Sequence, residues 1–361
     1  MIAAQILDQE RTSFVVGETA DPTPGATDVV VRVAAAGLAP GIFNLLRMGA
    51  IPIFPTVVGH EIAGTVVEVG SDADAALMGK RVRVHPLLSC GRCEYCTSDR
   101  EMLCSANSMI GHAIFGPDAM SLHSRYHNGG LAELVVVPQA NVDELPDQIG
   151  FELGAKVHDF ANAVRALTLA VLPPASTLVV TAATGAMGTA TILLAREFGV
   201  SRVIAVGRDE ARLEAVRRLD PGRVTPLVLG ADEPAEAVVA KVRTVDAAGA
   251  HAVIDYLPEG AGLVKLFGGI RSGGRIVHMG MNRVPFAIPQ IAVAVNCVSF
   301  VGTRACTRHD ALTALRILGQ DPERYNRLVT HRFPLREANR ARELLQSRSE
   351  QLWMLVVNPT E

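Results

Sequence analysis

The chain has 361 residues, enough for two domains of ordinary size. It is 49% hydrophobic and 20% charged with a net charge of −3, a balance that excludes a basic face for nucleic acid and a polybasic membrane patch. Asp8 and Glu10 fall where a signal peptide is most apolar, and Pro289, Gln290 and Asn296 interrupt the apolar stretch "FAIPQIAVAVNCVSFVG". We therefore expect a cytoplasmic protein with no signal peptide and no membrane span.

In chain order, the first 150 or so residues read as β-rich. "DVVVRVAAAG" and "IAGTVVEVG" are β-branched runs bounded by Gly, Pro and Asp, and "GGLAELVVVP" repeats the pattern. Between them lies "SCGRCEYCTSDREMLC". Its Cys90, Cys93, Cys96 and Cys104 follow C-x2-C-x2-C-x7-C, a spacing that lets four thiolates reach one tetrahedral ion and leaves no open position for a substrate. We expect one structural zinc there rather than disulfides, because so short a loop suits disulfide geometry poorly. Cys297 and Cys306, flanked by apolar residues, read as packing thiols.

From about residue 176 the rhythm changes. "TLVVTAA", "RVIAVG", "TPLVLG", "HAVIDY", "GRIVHMG" and "CVSFVG" are short apolar strands separated by helical patterns such as "MGTATILLAREFG" and "DEARLEAVRRL". Alternation of this kind predicts an α/β, doubly wound parallel sheet. The turn after the first of these strands puts Thr184, Gly185, Ala186, Met187 and Gly188 where G-x-G-x-x-G stands in dinucleotide binders, with Ala182 at the first glycine. Backbone N–H groups and a helix N-terminus are then available to a pyrophosphate. The second strand ends in Gly207 and Arg208 rather than in the Asp or Glu that accepts from the ribose 2′-hydroxyl of NAD. Without that carboxylate, Arg208 and Arg212 can pair with a 2′-phosphate, so we expect NADPH. After about residue 304 the chain ends in the apolar "LWMLVV", which needs a sheet to join, and the first domain is the candidate host.

Together these features resemble the medium-chain dehydrogenase/reductase superfamily, in its zinc-type alcohol dehydrogenase branch. "VVGHEIAGTVVEVG", the four-cysteine lobe, the dinucleotide turn and the return of the chain carry the resemblance over nearly the whole length. It implies a GroES-like β-rich catalytic domain at 1–157 with a zinc lobe at about 88–106, a Rossmann domain at 158–304, and a return to the first domain at 305–361. It also implies a homodimer, or a homotetramer built from such dimers, paired through "NCVSFVGT".

The family usually holds a catalytic zinc with a Cys in G-[IV]-C-x-[ST]-D, the His of GHE, and a second Cys just before the Rossmann domain. In "AAGLAPGIFN" the alignment puts Ala39 at that first cysteine, Gly41 at the hydroxyl residue, Ile42 at the aspartate and Asn44 at the relay histidine. His60 is retained, and His158 aligns with the second cysteine. Both thiolates and the aspartate are gone, so we expect no catalytic zinc. Hydride transfer then suits an acceptor that is already electrophilic or that a side chain protonates. His158, with Asp159 beside it in sequence, is the first candidate proton donor because free imidazole titrates near 6.5. His60 is the second, Glu61 a possible further zinc ligand, and Asn44 a hydrogen-bonding residue for substrate or ribose.

The resulting expectation is an NADP(H)-dependent oxidoreductase acting on an activated C=C, C=N or C=O of a small apolar substrate. Two alternatives stay open: a zinc enzyme with a site rebuilt on His60, His158 and Glu61 or Asp159, and an NADPH-binding protein without turnover. Residues 111–130 form a longer link than the family's and carry His112, His123, Tyr126 and His127. They read as part of a substrate entrance, as the source of an acid, or as a solvated loop.

Overall fold

A computed structural model describes residues 1–10 and 13–360. The chain divides into two units, residues 1–158 with 307–361, and residues 159–306. Within the first unit the principal sheet runs, from one edge, through the strands Val142–Glu144, Arg81–Val84, Glu61–Val69, Asp28–Gly37, Met354–Asn358 and Val329–Pro334, with Leu134–Pro138 branching from Asp28–Gly37. Asp28–Gly37 is the hub. It pairs antiparallel with three neighbours, and among its ten residues Arg32 alone is exposed, so its apolar run is continuous rather than alternating. Its register sets Gly37 opposite Glu61. The C-terminal strand Met354–Asn358, wholly buried, pairs with it, so the terminal run does join the first domain's sheet.

The core of this unit gathers Val31, Val33, Ile62, Val66, Leu131, Val135, Leu355 and Val357. Residues 111–130 are not a solvated loop. They fold into a helix, Met120–Tyr126, whose Tyr126 ring joins that core and donates to the buried Asp28 carboxylate at 2.7 Å. Burial of Tyr126 and His123 ties down a segment whose polar composition had suggested exposure.

The second unit is a six-stranded parallel sheet among the described residues, in the order Val224–Val228, Val200–Gly207, Ser176–Val180, Ala250–Asp255, Ile270–His278, Ser299–Gly302. Ser176–Val180 lies at the centre with every residue buried, and Val179, Ile204, Val206, Val253 and Ile276 form the middle of the core. The strand order reverses direction between Ser176–Val180 and Ala250–Asp255, the place where doubly wound sheets bind ligands. Cys306 is buried, as expected of a packing thiol; Cys297 is exposed at a left-handed turn after the short surface helix Gln290–Val295, so its apolar flanks do not enclose it. No described helix is long and apolar enough to cross a membrane.

Candidate functional site

The four cysteines converge. The sulfur atoms of Cys90, Cys93, Cys96 and Cys104 all lie within 4.8 Å of one another, a spread one tetrahedral zinc can draw together. Two short turns, Cys96–Ser98 and Glu101–Leu103, fold the loop back on itself, and the Cys90 backbone N–H donates to Cys104 Sγ at 3.4 Å. The backbone N–H groups of Arg92 and Cys93 face the Cys90 sulfur and bring its thiol down to about 6, which favours the thiolate a metal requires. The donor set fits a structural zinc.

Elsewhere in the same unit a second cluster forms around His60. This residue immediately precedes the strand Glu61–Val69 and is held by the backbone around Gly59, whose N–H donates to Gly111 O at 3.0 Å. His60 lies edge-on to His112, with ring centroids 4.3 Å apart, and edge-on to His158 at 5.0 Å. The long helix Phe151–Ala170 contributes His158 and, one half-turn earlier, Lys156. Lys156 Nζ donates to Glu61 Oε2 at 2.5 Å, with both side chains at 2% exposure or less. The other oxygen, Glu61 Oε1, is 3.8 Å from His60 Nε2. Gly37 makes this possible: a Cβ there would stand 1.8 Å from Glu61 Oε2, so only glycine opposite Glu61 leaves room for its carboxylate.

Burial, reinforced by the neighbouring imidazoles and by Lys156, pushes His60 well below its ordinary range. Burial likewise takes His158 down to about 3, with His112, Arg83 and Lys156 adding repulsion, and takes His112 down to about 3. These rings are neutral near pH 7. Burial and two fixed cations, Arg83 and Lys156, work against the imidazolium form that His158 would need as the expected proton donor near neutrality. A neutral ring still donates one N–H hydrogen bond and accepts another.

The remaining predicted residues are dispersed. Asp159 falls in the second unit, where its charge acts on the buried Tyr256. Asn44, on the helix Gly41–Arg47, accepts from the Arg47 guanidinium through its side-chain oxygen. His123 is buried with both ring nitrogens lacking a hydrogen-bond partner, and its ring lies 6.4 Å from that of His127. Sequence reasoning missed Lys156 and Gly37. A lone lysine inside the otherwise apolar helical pattern "GAKVHDFANAV" was the available signal.

In the second unit the turn after Ser176–Val180 leads through Thr184 and the extended Gly185 into the helix Ala186–Leu194, which starts with Ala186, Met187 and Gly188. No side chain caps that helix, so its first N–H groups remain available to an anion. Ala182 occupies the first-glycine position at φ 45°, adopting the left-handed geometry that the turn demands. At Gly188 a Cβ would lie 2.6 Å from Ala182 O and 2.8 Å from Ala183 Cα, so glycine lets helix and strand approach. This cradle fits a dinucleotide pyrophosphate. Past Gly207, Asp209 caps the helix Glu210–Arg217 by accepting from Arg212 N–H at 3.0 Å, and it also holds the Arg212 guanidinium at 3.6 Å. Arg208 is exposed and pairs with the exposed Glu259 at 3.3 Å.

At the C-terminal ends of two strands, unpredicted from sequence, Asp255 accepts from Thr181 at 2.6 Å and binds His278 Nδ1 at 2.7 Å. The hydrogen bond to Asp255 raises His278 above its ordinary value.

The family model for the alcohol dehydrogenase GroES-like domain matches residues 25–147, and that for the zinc-binding dehydrogenase matches residues 186–320. L-idonate 5-dehydrogenase of Vitis vinifera is 29% identical over 319 residues, covering 86% of this chain and 82% of its own. L-threonine 3-dehydrogenase of Saccharopolyspora erythraea is 27% identical over 322 residues, covering 88% of each. The solved alcohol dehydrogenase from Thermus sp. ATN1 superposes with a TM-score of 0.85 at 26% identity, covering 99% of each chain. With its GroES-like β-rich unit, its parallel Rossmann sheet and these relatives, the chain belongs to the medium-chain dehydrogenase/reductase superfamily, zinc-type alcohol dehydrogenase branch, and is an oxidoreductase of that type.

Proposed function

We propose that this protein is an NADP(H)-dependent reductase that transfers hydride from C4 of the nicotinamide to an activated C=C, C=N or C=O of a small, largely apolar substrate. It carries a structural zinc at Cys90, Cys93, Cys96 and Cys104 and works without a catalytic one. The observation that carries the reading is the neutral imidazole cluster of His60, His112 and His158 around the Lys156–Glu61 ion pair, at positions where the family's thiolate-bound metal is absent from the sequence. Such a cluster offers N–H donors to charge developing on an acceptor, but nothing that lowers an alcohol's pKa as zinc does. An electrophile that needs only polarisation suits it; oxidation of a simple alcohol does not.

Cofactor choice rests on the end of the strand Val200–Gly207. Asp209, the nearest carboxylate in sequence, is engaged in capping a helix, while the exposed Arg208–Glu259 pair leaves a guanidinium that a 2′-phosphate can recruit. For assembly, the edge strand Ser299–Gly302 carries exposed Phe300, and the preceding helix carries exposed Ile291 and Val295; this apolar edge suits pairing of two copies, as dimer or tetramer.

The test is oxidation of NADPH and NADH with a panel of enals, enones, iminium ions and simple ketones, in wild type and Arg208→Ala. Turnover of conjugated substrates with NADPH, and loss of about tenfold of the NADPH preference in Arg208→Ala, are expected. Turnover confined to simple alcohols and ketones, or equal use of NADH by wild type, overturns the reading. Binding of NADPH without consumption of any electrophile would leave a cofactor-binding protein instead.

A further inference from the structure

The zinc that the family places beside His60 does not fit the residues found there. Among the described residues, the four cysteines are the only group of three or more His, Cys, Asp and Glu side chains whose donor atoms lie within 4.8 Å of one another. His60, His112 and His158 do not form such a group, and the acidic neighbour Glu61 is already bound to Lys156. Charge gives the same answer. The buried or half-buried cations of this unit near the imidazoles are Lys156, which meets Glu61, and Arg83 and Arg308, which share Asp143. The carboxylate beside His60 is already neutralised by Lys156 and so is engaged rather than free to compensate a divalent ion, in an interior where uncompensated charge is costly.

From this we infer that Lys156 is an internal substitute for the second metal: its ammonium group holds Glu61 beside His60, supplies the positive charge at that place, and excludes a divalent cation. The inference rests on the metal-free reading above and adds the residue responsible for it. Gly37 belongs to the same device, since it alone gives the Glu61 carboxylate the space to reach Lys156. As Lys156 acts through Glu61 and through the field it sets up around His60, it is a positioning residue.

Removal of the ammonium has a definite consequence. With the ammonium gone, the Glu61 carboxylate beside His60 is released from Lys156 and can turn towards that ring, whose neighbours His112 and His158 lie at centroid distances of 4.3 and 5.0 Å; imidazole and carboxylate are donor types that bind zinc or cobalt once they converge. The experiment loads the full-length protein with zinc, removes excess by desalting and counts zinc per chain in wild type, Lys156→Leu, Lys156→Gln, Lys156→Arg and the double variant E61Q/K156L. Cobalt(II) absorption in the visible reads the ligands of any added site, and melting temperature with and without zinc reads its coupling to the fold. Lys156→Gln keeps a hydrogen-bond donor for Glu61, so it serves if Lys156→Leu does not fold.

Expected are one zinc in wild type and in Lys156→Arg, two in the neutral variants with a zinc-dependent rise in melting temperature, and one again in E61Q/K156L. Two zincs in wild type overturn both the inference and the metal-free reading. One zinc in wild type and also in folded Lys156→Gln leaves that reading standing and overturns the role of Lys156. Two in E61Q/K156L overturn the part assigned to Glu61.

Discussion

The cysteine lobe and the histidine cluster, which the resemblance aligns with the two metal positions of the superfamily, are built in opposite ways. In the lobe, four donors of one type sit within fifteen residues, and local turns suffice to bring their sulfurs together. Around His60 the donors come from a strand end, the 111–130 segment and a long helix, and the charge there is balanced by a lysine. A site built from a short segment persists as a unit, whereas a site assembled from distant elements can exchange one ligand at a time and be re-balanced by an unrelated side chain.

Breaking the lobe should have the largest effect. Cys104→Ser, at the most buried of the four sulfurs, is expected to abolish zinc retention, open the lobe to limited proteolysis and cost several kcal/mol, as read by elemental analysis and denaturant titration. At the second position the energy resides in an ion pair. Glu61→Gln, or Lys156→Leu in metal-free buffer, should lower stability by about 3–5 kcal/mol, because each removes one half of a buried ion pair. E61Q/K156L should cost less than the sum of the two single changes. A simple sum in that double-mutant cycle would show that the pair is not coupled.

Acid should separate the two regions further. His112 and His158 are held down to about 3 mainly by burial, while in the unfolded chain they titrate near the ordinary 6.5. Between these values the unfolded state binds protons that the folded state does not, so their contribution erodes stability as pH falls from about 6.5 towards 3, by at most about 1.4 kcal/mol per pH unit for each ring. His112→Leu should flatten that slope, and an unchanged slope in urea titrations across the range would contradict the buried neutral ring. The smallest effect belongs to Asn44→Ala, expected at about 0.5 kcal/mol or less with the zinc count unchanged, since its side-chain oxygen serves Arg47 three residues along.

Much of the architecture was legible because it is periodic or local. The run at Asp28–Gly37, the alternation of strands and helices after residue 176, and the turn through Gly185 and Gly188 each announce themselves within a dozen residues. The solvated-loop reading of residues 111–130 fails because their polar composition says nothing about Tyr126 reaching the buried Asp28. The same limit applied to protonation. An ordinary imidazole value was assigned to His158 in ignorance of the burial, the second ring and the cations around it.

By itself the sequence determined the fold family, the four-cysteine cluster and the dinucleotide turn, because each is written in residue type and short spacing. The tertiary structure decided what surrounds His60. Only the register that sets Gly37 opposite Glu61, and the helix that delivers Lys156 to the same carboxylate, bring this ion pair together beside His60. Residues 37, 61, 112 and 156 are too far apart in the chain for any local pattern to couple them, and it is burial in a shared low-dielectric interior that makes their charges answer to one another.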